Sequence, residues 1–338
     1  MVEMQYGWNG QRLLIDLSKG NISYEKLDTA LLMAYLGGRG LNVHTLYHQS
    51  QYNLHPLDPK ALLIFGTGPL TGTCVPCNGK GHNITAKSPL TGILGDSNVG
   101  GFWGAELKLA GYDQIVLSGK ADELQYIWID ADHVEIKTAT HLQGLTTRET
   151  DTTIKSELND DSVQIACIGP AGENLVKYAS IMSNLTHAAG RTGLGAVMGS
   201  KNLKAIAIRG SRGLHVAHPT LLTELSRQLL EKIANAPGYQ SRSTYGTSMI
   251  IDLYNAMGVL PTRNDQTGVF DGAEKIGSEI LRDNYVRKRR SCYACSVHCK
   301  LYYELDLGQQ THISGEGPEF ETLCALGARC GNDDLESI

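Results

Sequence analysis

The sequence predicts an α+β chain, mixed α and β up to about residue 210 and mainly helical after about residue 217. Two observations carry that reading. Six short runs, "RLLIDL", "ALLIFGTG", "DQIVLSG", "LQYIWID", "VQIACIG" and "KAIAIRG", are rich in Val, Ile and aromatics and stop at turn residues, as strands do. From "HPTLLTELSRQLLEKIANAPG" onward the pattern becomes one of helical spacing.

The elements follow in order. "DTALLMAYLGG" opens with Asp28 or Thr29 as a cap, sets Leu31, Leu32, Tyr35 and Leu36 on one helical face, and stops at Gly37. "TTRETDTTIKSEL" is a second, more polar helix. Pro219 sits near the start of the strongly amphipathic helix that begins the second half, and a Pro-Gly pair ends it. "TSMIIDLYNAMG" and "PEFETLCALGARCG" carry helical periodicity as well. The last residues, "NDDLESI", read as the start of a further helix, so the chain is expected to be incomplete at its carboxyl end.

Composition narrows the function. The 338 residues suffice for two domains, with 41% hydrophobic and 19% charged residues. A net charge of −5 argues against nucleic acid or an anionic membrane as partner. No apolar run approaches a membrane span and no export signal is legible, which points to the cytoplasm. In that setting eight cysteines suggest metal or redox chemistry rather than a disulfide framework.

"SCYACSVHCK" places Cys292, Cys295 and Cys299 at two-then-three spacing. Structural zinc ordinarily uses two separated pairs, whereas three clustered thiols with a distant fourth are a common way to hold an iron–sulfur cubane. Zinc and purely structural thiols stay open on the residues alone. Cys324 and Cys330 are fourth-ligand candidates that core packing explains equally well; His298 is a poor one, because its neighbour Cys299 already points at the metal. "VRKRRS" just before reads either as a solvated basic face or as charge that eases electron addition to an anionic cluster.

Glycine, at 38 of 338 residues, concentrates in two stretches. Residues 66–113 read as loops whose N–H groups could ring an anion, and they include the Cys74–Cys77 pair of "CVPC". Residues 187–210 contain Gly193-x-Gly195-x-x-x-Gly199, but the strand that a dinucleotide fingerprint needs before it is instead expected after it. Plain turns between strands account for both stretches as well. Glu319 and Glu321 of "GPEFET" are surface carboxylates by default, and an acid or base if buried.

Together, "YLGGRGLN", "GPLTGT", "KSPLTGILGDSNVGGFWGAELKLAGYD", "IGPAGENLVKYASIM", "HAAGRTGLGAVMGSKNLKAIAIRG", "LPTRNDQTG", "CYACSVHC" and "EGPEFET" resemble the tungsten-containing aldehyde ferredoxin oxidoreductase family, in order and over essentially the whole chain. The resemblance implies a two-sheet base domain over residues 1–212 that binds the pterin cofactor, and over 213–338 the start of a helical domain carrying iron–sulfur ligands. It implies a tungsten (or molybdenum) bis-pterin, a 4Fe–4S cluster on Cys292, Cys295 and Cys299 with its fourth cysteine beyond Ile338, and Mg²⁺ near Asn98 and Ala188.

By the same resemblance Asn98, Gly100, Ala188, Gly190 and Arg191 form phosphate loops. Lys80 and His187 stand where the family often has arginine, which keeps charge without the bidentate fork in one case and makes charge pH-dependent in the other. Glu321 would be the general base, with Glu319 the alternative. The implied reaction oxidises an aldehyde with water to a carboxylic acid and passes electrons to ferredoxin or an iron–sulfur electron-transfer subunit, in a homodimer or larger complex. The alternatives are a benzoyl-coenzyme A reductase-like catalytic subunit and a non-catalytic, truncated or split cofactor-binding chain.

Overall fold

The computed structural model describes residues 6–51, 53–78, 81–306, 308 and 312–338. It comprises two compact units, Met1–Glu224 with Cys292–Ala294, and Leu225–Ser291 with Cys295–Ile338.

The first unit runs β1 (Gln11–Asp16), β2 (Asn21–Lys26), α1 (Thr29–Tyr35), α2 (Gly38–Gln49), β3 (Leu63–Gly66), β4 (His82–Lys87), β5 (Leu94–Val99), α3 (Trp103–Leu109), β6 (Gln114–Ser118), β7 (Gln125–Asp130) and β8 (His133–Thr138). It continues with α4 (Thr147–Leu158), β9 (Gln164–Cys167), α5 (Pro170–Glu173), β10 (Ile181–Ser183), β11 (His187–Ala189), α6 (Leu194–Ser200) and β12 (Leu203–Arg209), and the chain leaves the unit within α7 (Pro219–Ala234). Two six-stranded sheets result, ordered β2-β1-β6-β3-β4-β5 and β11-β10-β9-β12-β7-β8. Each is mostly antiparallel, with one parallel pair, β1 with β6 and β12 with β7.

Period-two alternation explains the layering. Leu13 and Ile15, Leu63 and Phe65, Ile84 and Ala86, Ile115 and Leu117 line the inner face of the first sheet. They share a core with Ile127 and Ile129, Ile206 and Ile208, and with Trp103, Leu107, Val197 and Met198 of α3 and α6. The opposite face of the first sheet buries Leu62, Ile64 and Val116 against Leu46 of α2. That of the second buries Tyr126, Ile165 and Ala207 with Ile154 of α4. The expected start of α1 holds, with Asp28 accepting from the Ala30 N–H, and α4 opens on Thr146, which forms a capping box with Glu149.

Two expectations change here. Residues 66–113 are not continuous loop, for β4, β5 and α3 lie within them and His82–Lys87 pairs antiparallel with Leu94–Val99. The "HNITAK" run alternates Asn83 and Thr85 with Ile84 and Ala86, a strand signal hidden by its polar face. At 193–199 a strand (β11) does precede and a helix (α6) does follow. The glycines serve close packing: a Cβ on Gly195 would lie 2.5 Å from the Ser180 carbonyl oxygen, and one on Gly199 would overlap the Gly172 carbonyl.

The second unit holds most of α7, then α8 (Tyr239–Tyr245), α9 (Met249–Ala256), α10 (Ser278–Asn284), β13 (Val286–Arg290), β14 (Lys300–Asp306), β15 (His312–Glu316) and α11 (Phe320–Thr322). Ile251, Leu260, Ile276, Leu281, Leu301 and Leu323 form its core. The basic "VRKRR" run is an edge strand of the antiparallel sheet β13-β14-β15, which helical periodicity elsewhere in this half did not foretell. The expected helix over "PEFETLCALGARC" is broken into α11, a π-turn at Leu323–Gly327 and a 3₁₀ turn at Ala328–Cys330.

Candidate cofactor and metal site

The first-unit candidates gather at the ends of two edge strands. Asn98 is in β5 with Gly100 just after it; His187 and Ala188 are in β11, followed by Gly190 and Arg191. Three hydrogen bonds tie the flanks of the two strands together. Ser97 Oγ donates to the Arg191 carbonyl at 3.2 Å, and the Arg191 N–H is 3.3 Å from the same hydroxyl oxygen. Ser88 Oγ donates to the Thr192 carbonyl at 2.7 Å. Asn98, Ala188, Gly190 and Arg191 are exposed, and His187 is buried. Lys80 lies outside the described residues.

Local backbone demands build this edge. The turn between β10 and β11 uses left-handed Asn184 and Leu185, at φ 53° and 66°. The Asn184 carboxamide oxygen accepts from the N–H groups of Phe102 and Trp103 at 2.9 and 3.1 Å, satisfying donors at the start of α3. Gly101, at φ +90°, makes room, since a Cβ there would lie 2.5 Å from that oxygen.

Cys292, Tyr293 and Ala294 dock on the same edge. Cys292 Sγ lies 3.4 Å from His187 Nε2, and Thr186 Oγ1 is 3.2 Å from the other ring nitrogen. The Tyr293 N–H donates to the Gly101 carbonyl at 3.2 Å and its hydroxyl to the Gly72 carbonyl at 3.1 Å. The Cys77 N–H donates to the Ala294 carbonyl at 3.0 Å. The "CVPC" loop therefore holds Ala294 through its backbone, while both its thiols are exposed and free of disulfide. Behind His187, burial and the neighbouring His187 charge push the His82 imidazole down to about 3, so it stays neutral.

In the second unit Cys295 and Cys299 occupy the turn-rich segment between β13 and β14, where Ala294 and His298 adopt left-handed φ of 48° and 53°. His298 is exposed. The cations of β13 are engaged within their own unit. Arg287 and Arg290 pair with Glu304 and Glu316 at 3.5 and 3.3 Å, and Arg289 donates to Ser243 Oγ at 2.8 Å. Lys288 and Arg290 lie over the Tyr302 ring at 4.8 and 4.5 Å. Glu319 occupies the position before α11 and forms an ion pair with Lys300, the residue after Cys299, whereas Glu321 is exposed in the first turn. Cys324 is a core thiol, its pKa raised mainly by burial, and Cys330 is exposed.

The donor chemistry suits the expected groups. Three soft thiols within eight residues, none in a disulfide, match an iron–sulfur ligand set short of one member. Among the described residues no three His, Cys, Asp or Glu side chains are gathered to hold a metal ion. The paired glycine-bearing strand ends, with Arg191 exposed, suit phosphate. Sequence reasoning missed Tyr293 and Ala294 as docking points, and Asn42, Asn83, Ser97 and Gln114 beneath the edge. The alternating polar face of "HNITAK" was the available signal.

Residues 12–210 match the family model "Aldehyde ferredoxin oxidoreductase, N-terminal domain", and residues 224–338 the model for "domains 2 & 3" of the same family. The chain is 43% identical to a tungsten-containing aldehyde ferredoxin oxidoreductase of Pyrococcus furiosus and 42% to one of Thermococcus kodakarensis, over 98% of its length and 54% of theirs. It is 31% identical to the WOR-like subunit of an aliphatic sulfonate oxidoreductase of Pyrococcus furiosus, over 98% of this chain and 55% of that one. Among solved structures it is similar to the active-site complex BamBC of benzoyl coenzyme A reductase with 1,5-dienoyl-CoA, with a TM-score of 0.84 and 33% identity over 98% of this chain and 52% of that one. The chain thus spans about half the length of the relatives it matches. On these matches the chain belongs to the aldehyde ferredoxin oxidoreductase family of oxidoreductases.

Proposed function

We propose that this chain is the cofactor-binding part of a tungsten (or molybdenum) bis-pterin enzyme that oxidises aldehydes to carboxylic acids with water in the cytoplasm. The observation that carries it is the convergence of β5, β11 and Cys292 on one edge of the first unit, which would put phosphate-binding groups and a cluster thiol side by side.

In this reading residues 1–212 form the pterin-binding base and 213–338 the start of the helical part. Asn98, Gly100, His187, Ala188, Gly190 and Arg191, with Lys80, hold the cofactor phosphates, and Mg²⁺ lies near Asn98 and Ala188. Cys292, Cys295 and Cys299 supply three thiolates to a 4Fe–4S cluster. Aldehyde and water give acid, two protons and two electrons; when bound, the metal–pterin group would take the electrons, and the cluster would relay them to ferredoxin or an electron-transfer subunit. Glu321 accepts a proton from water, a role that favours it over Glu319, whose carboxylate already meets Lys300. The working assembly would be a homodimer or larger complex.

The likeness to the benzoyl-coenzyme A reductase complex supports a second reading, ring reduction on the same scaffold. Metal analysis of the anaerobically purified native protein tests both. About one W or Mo with about four Fe per chain, plus aldehyde-dependent dye reduction, is the expected result. The same metals with turnover only of aromatic thioesters would transfer the assignment to the second reading. Zinc alone, or no metal, would overturn both.

A further inference from the structure

Helix α2 carries a pair of histidines far from the cofactor edge. His44 and His48 stand four residues apart in "NVHTLYHQ", a spacing that sets both rings on one helical face, and their ring centroids are 4.3 Å apart. The Tyr35 ring, at the end of α1, lies 4.5 Å from that of His44, and the Tyr47 ring stands edge-on to His48 at 5.1 Å.

The helix that presents them is firmly held. A run of buried amides ties it to the sheet: Asn42 Nδ2 donates to the Asn83 carbonyl at 3.0 Å, Gln114 Nε2 donates to Asn42 Oδ1 at 2.9 Å, and Thr45 Oγ1 lies 3.2 Å from the Gln114 amide oxygen. Leu41 is fully buried, and Leu46 packs on Ile64 and Val116. The two imidazoles therefore project from a backbone that need not reorder to take a ligand.

Charge and protonation suit a cation. Burial, then His48 and Arg12, lower the His44 pKa, so its ring is neutral near pH 7 and keeps a lone pair for a metal. The Arg12 guanidinium is itself held by both Glu25 carboxylate oxygens at 2.7 to 3.1 Å, which offsets its charge. His48 lies in the last turn of α2, where the end carbonyls favour positive charge. Two imidazoles on one ion each place a nitrogen about 2.0–2.1 Å from it, which rings with centroids 4.3 Å apart reach by side-chain rotation alone.

We propose that His44 and His48 form a two-ligand metal site on the α2 side of the first sheet, which takes a divalent transition-metal ion of the Ni²⁺, Cu²⁺ and Zn²⁺ class with water in the remaining positions. Imidazole nitrogen suits these ions, whereas Mg²⁺ prefers oxygen. Among the described residues no third His, Cys, Asp or Glu is gathered with the pair, so the chelate is open. It stands apart from the cofactor reading. Arg39, near the start of α2, pairs with Asp96 of β5, while His44 neighbours Arg12 of β1, and β6, β3 and β4 lie between those strands. Four strand spacings, roughly 19 Å, separate β1 from β5.

The probe is Ni²⁺, titrated calorimetrically into the anaerobically purified native protein, with thermal melts to confirm that each variant folds. Thiols elsewhere also take Ni²⁺, so the quantity read is the site that the variants lose. Wild type should show a site with a Kd below about 0.1 mM that millimolar Mg²⁺ leaves unchanged. His44→Gln and His48→Gln should each weaken it about tenfold or more, because each leaves one imidazole where two acted together. His48→Gln with Gln49→His keeps the number of histidines but turns one of them about 100° round the helix, and should bind no better than His48→Gln alone. Should His44→Gln not fold, His48→Gln and the double variant, altered only at exposed positions, carry the comparison. Equal affinity in wild type and either single variant overturns the proposal, as does displacement by Mg²⁺ or the lack of any site below about 0.1 mM. Full affinity in the double variant would mean binding to single surface histidines and would overturn it as well.

Discussion

His187 Nε2 and Cys292 Sγ lie 3.4 Å apart although 105 residues separate them in the chain. Gly100 is the space that lets them meet: a Cβ there would fall 2.9 Å from the sulfur and 3.0 Å from His187 Cδ2. One ring thus lies against both the turn after β5 and the Cys292 thiol.

An N–H donor on a cluster thiolate raises its reduction potential. In the cluster-bearing protein His187→Leu should lower the midpoint by roughly 30–60 mV, near one tenfold change for a one-electron couple. Gly100→Ala, which wedges the pair apart, should shift it the same way. Redox titration followed by electron paramagnetic resonance reads both, and unchanged midpoints would remove the hydrogen bond from the account.

Asn42 sits midway along the buried amide run. Replacing it with leucine removes the acceptor of the Gln114 amide and both bonds that Asn42 gives to Asn83, in a site closed to water. A loss of about 2–4 kcal/mol in urea unfolding is expected. A change within about 0.5 kcal/mol would mean that the run is not a structural unit.

Gly104 in α3 faces the Gly81 carbonyl so closely that a Cβ would overlap it. Gly104→Ala should cost about 3 kcal/mol or more, by pushing α3 off the start of β4. Gly213→Ala meets nothing within 4 Å and should be nearly silent. Melting midpoints of the two variants make the comparison.

His82 gives a pH signature. Its imidazole, against Trp103 and near His187 and Ser183, stays neutral to about pH 3, while an unfolded chain takes up that proton near 6.5. The native state therefore binds fewer protons between these values. Its contribution is present above about 6.5 and is lost as pH falls toward 3, by roughly 4–5 kcal/mol in all. His82→Leu should flatten the stability profile across that window; an unchanged acid slope would assign it to other groups.

Strands with apolar alternation, such as Leu13–Ile15 and Ile206–Ile208, were legible because burial on one face writes a period of two into the sequence. β5 and β11 were not. "LGDSNV" and "HAA" expose or hydrogen-bond the residues that would mark them, and their glycine-rich flanks read as loop. The cysteine spacing was visible, but its docking through Tyr293 and Ala294 depends on backbone groups, which no side-chain pattern encodes. Asn83 looked like an ordinary polar residue because its meaning lies in partners 41 positions before and 15 after it.

The strand setting of Asn98 and Ala188 bears on the order of assembly. Both residues are held in ladders, paired with Asn83 and Met182. A guest at this edge therefore meets a finished surface and need not pay the roughly 1–2 kcal/mol per residue that ordering a free loop would demand. A strand pair of this kind limits how far its side chains can move, so recognition at this edge would draw on a preset backbone.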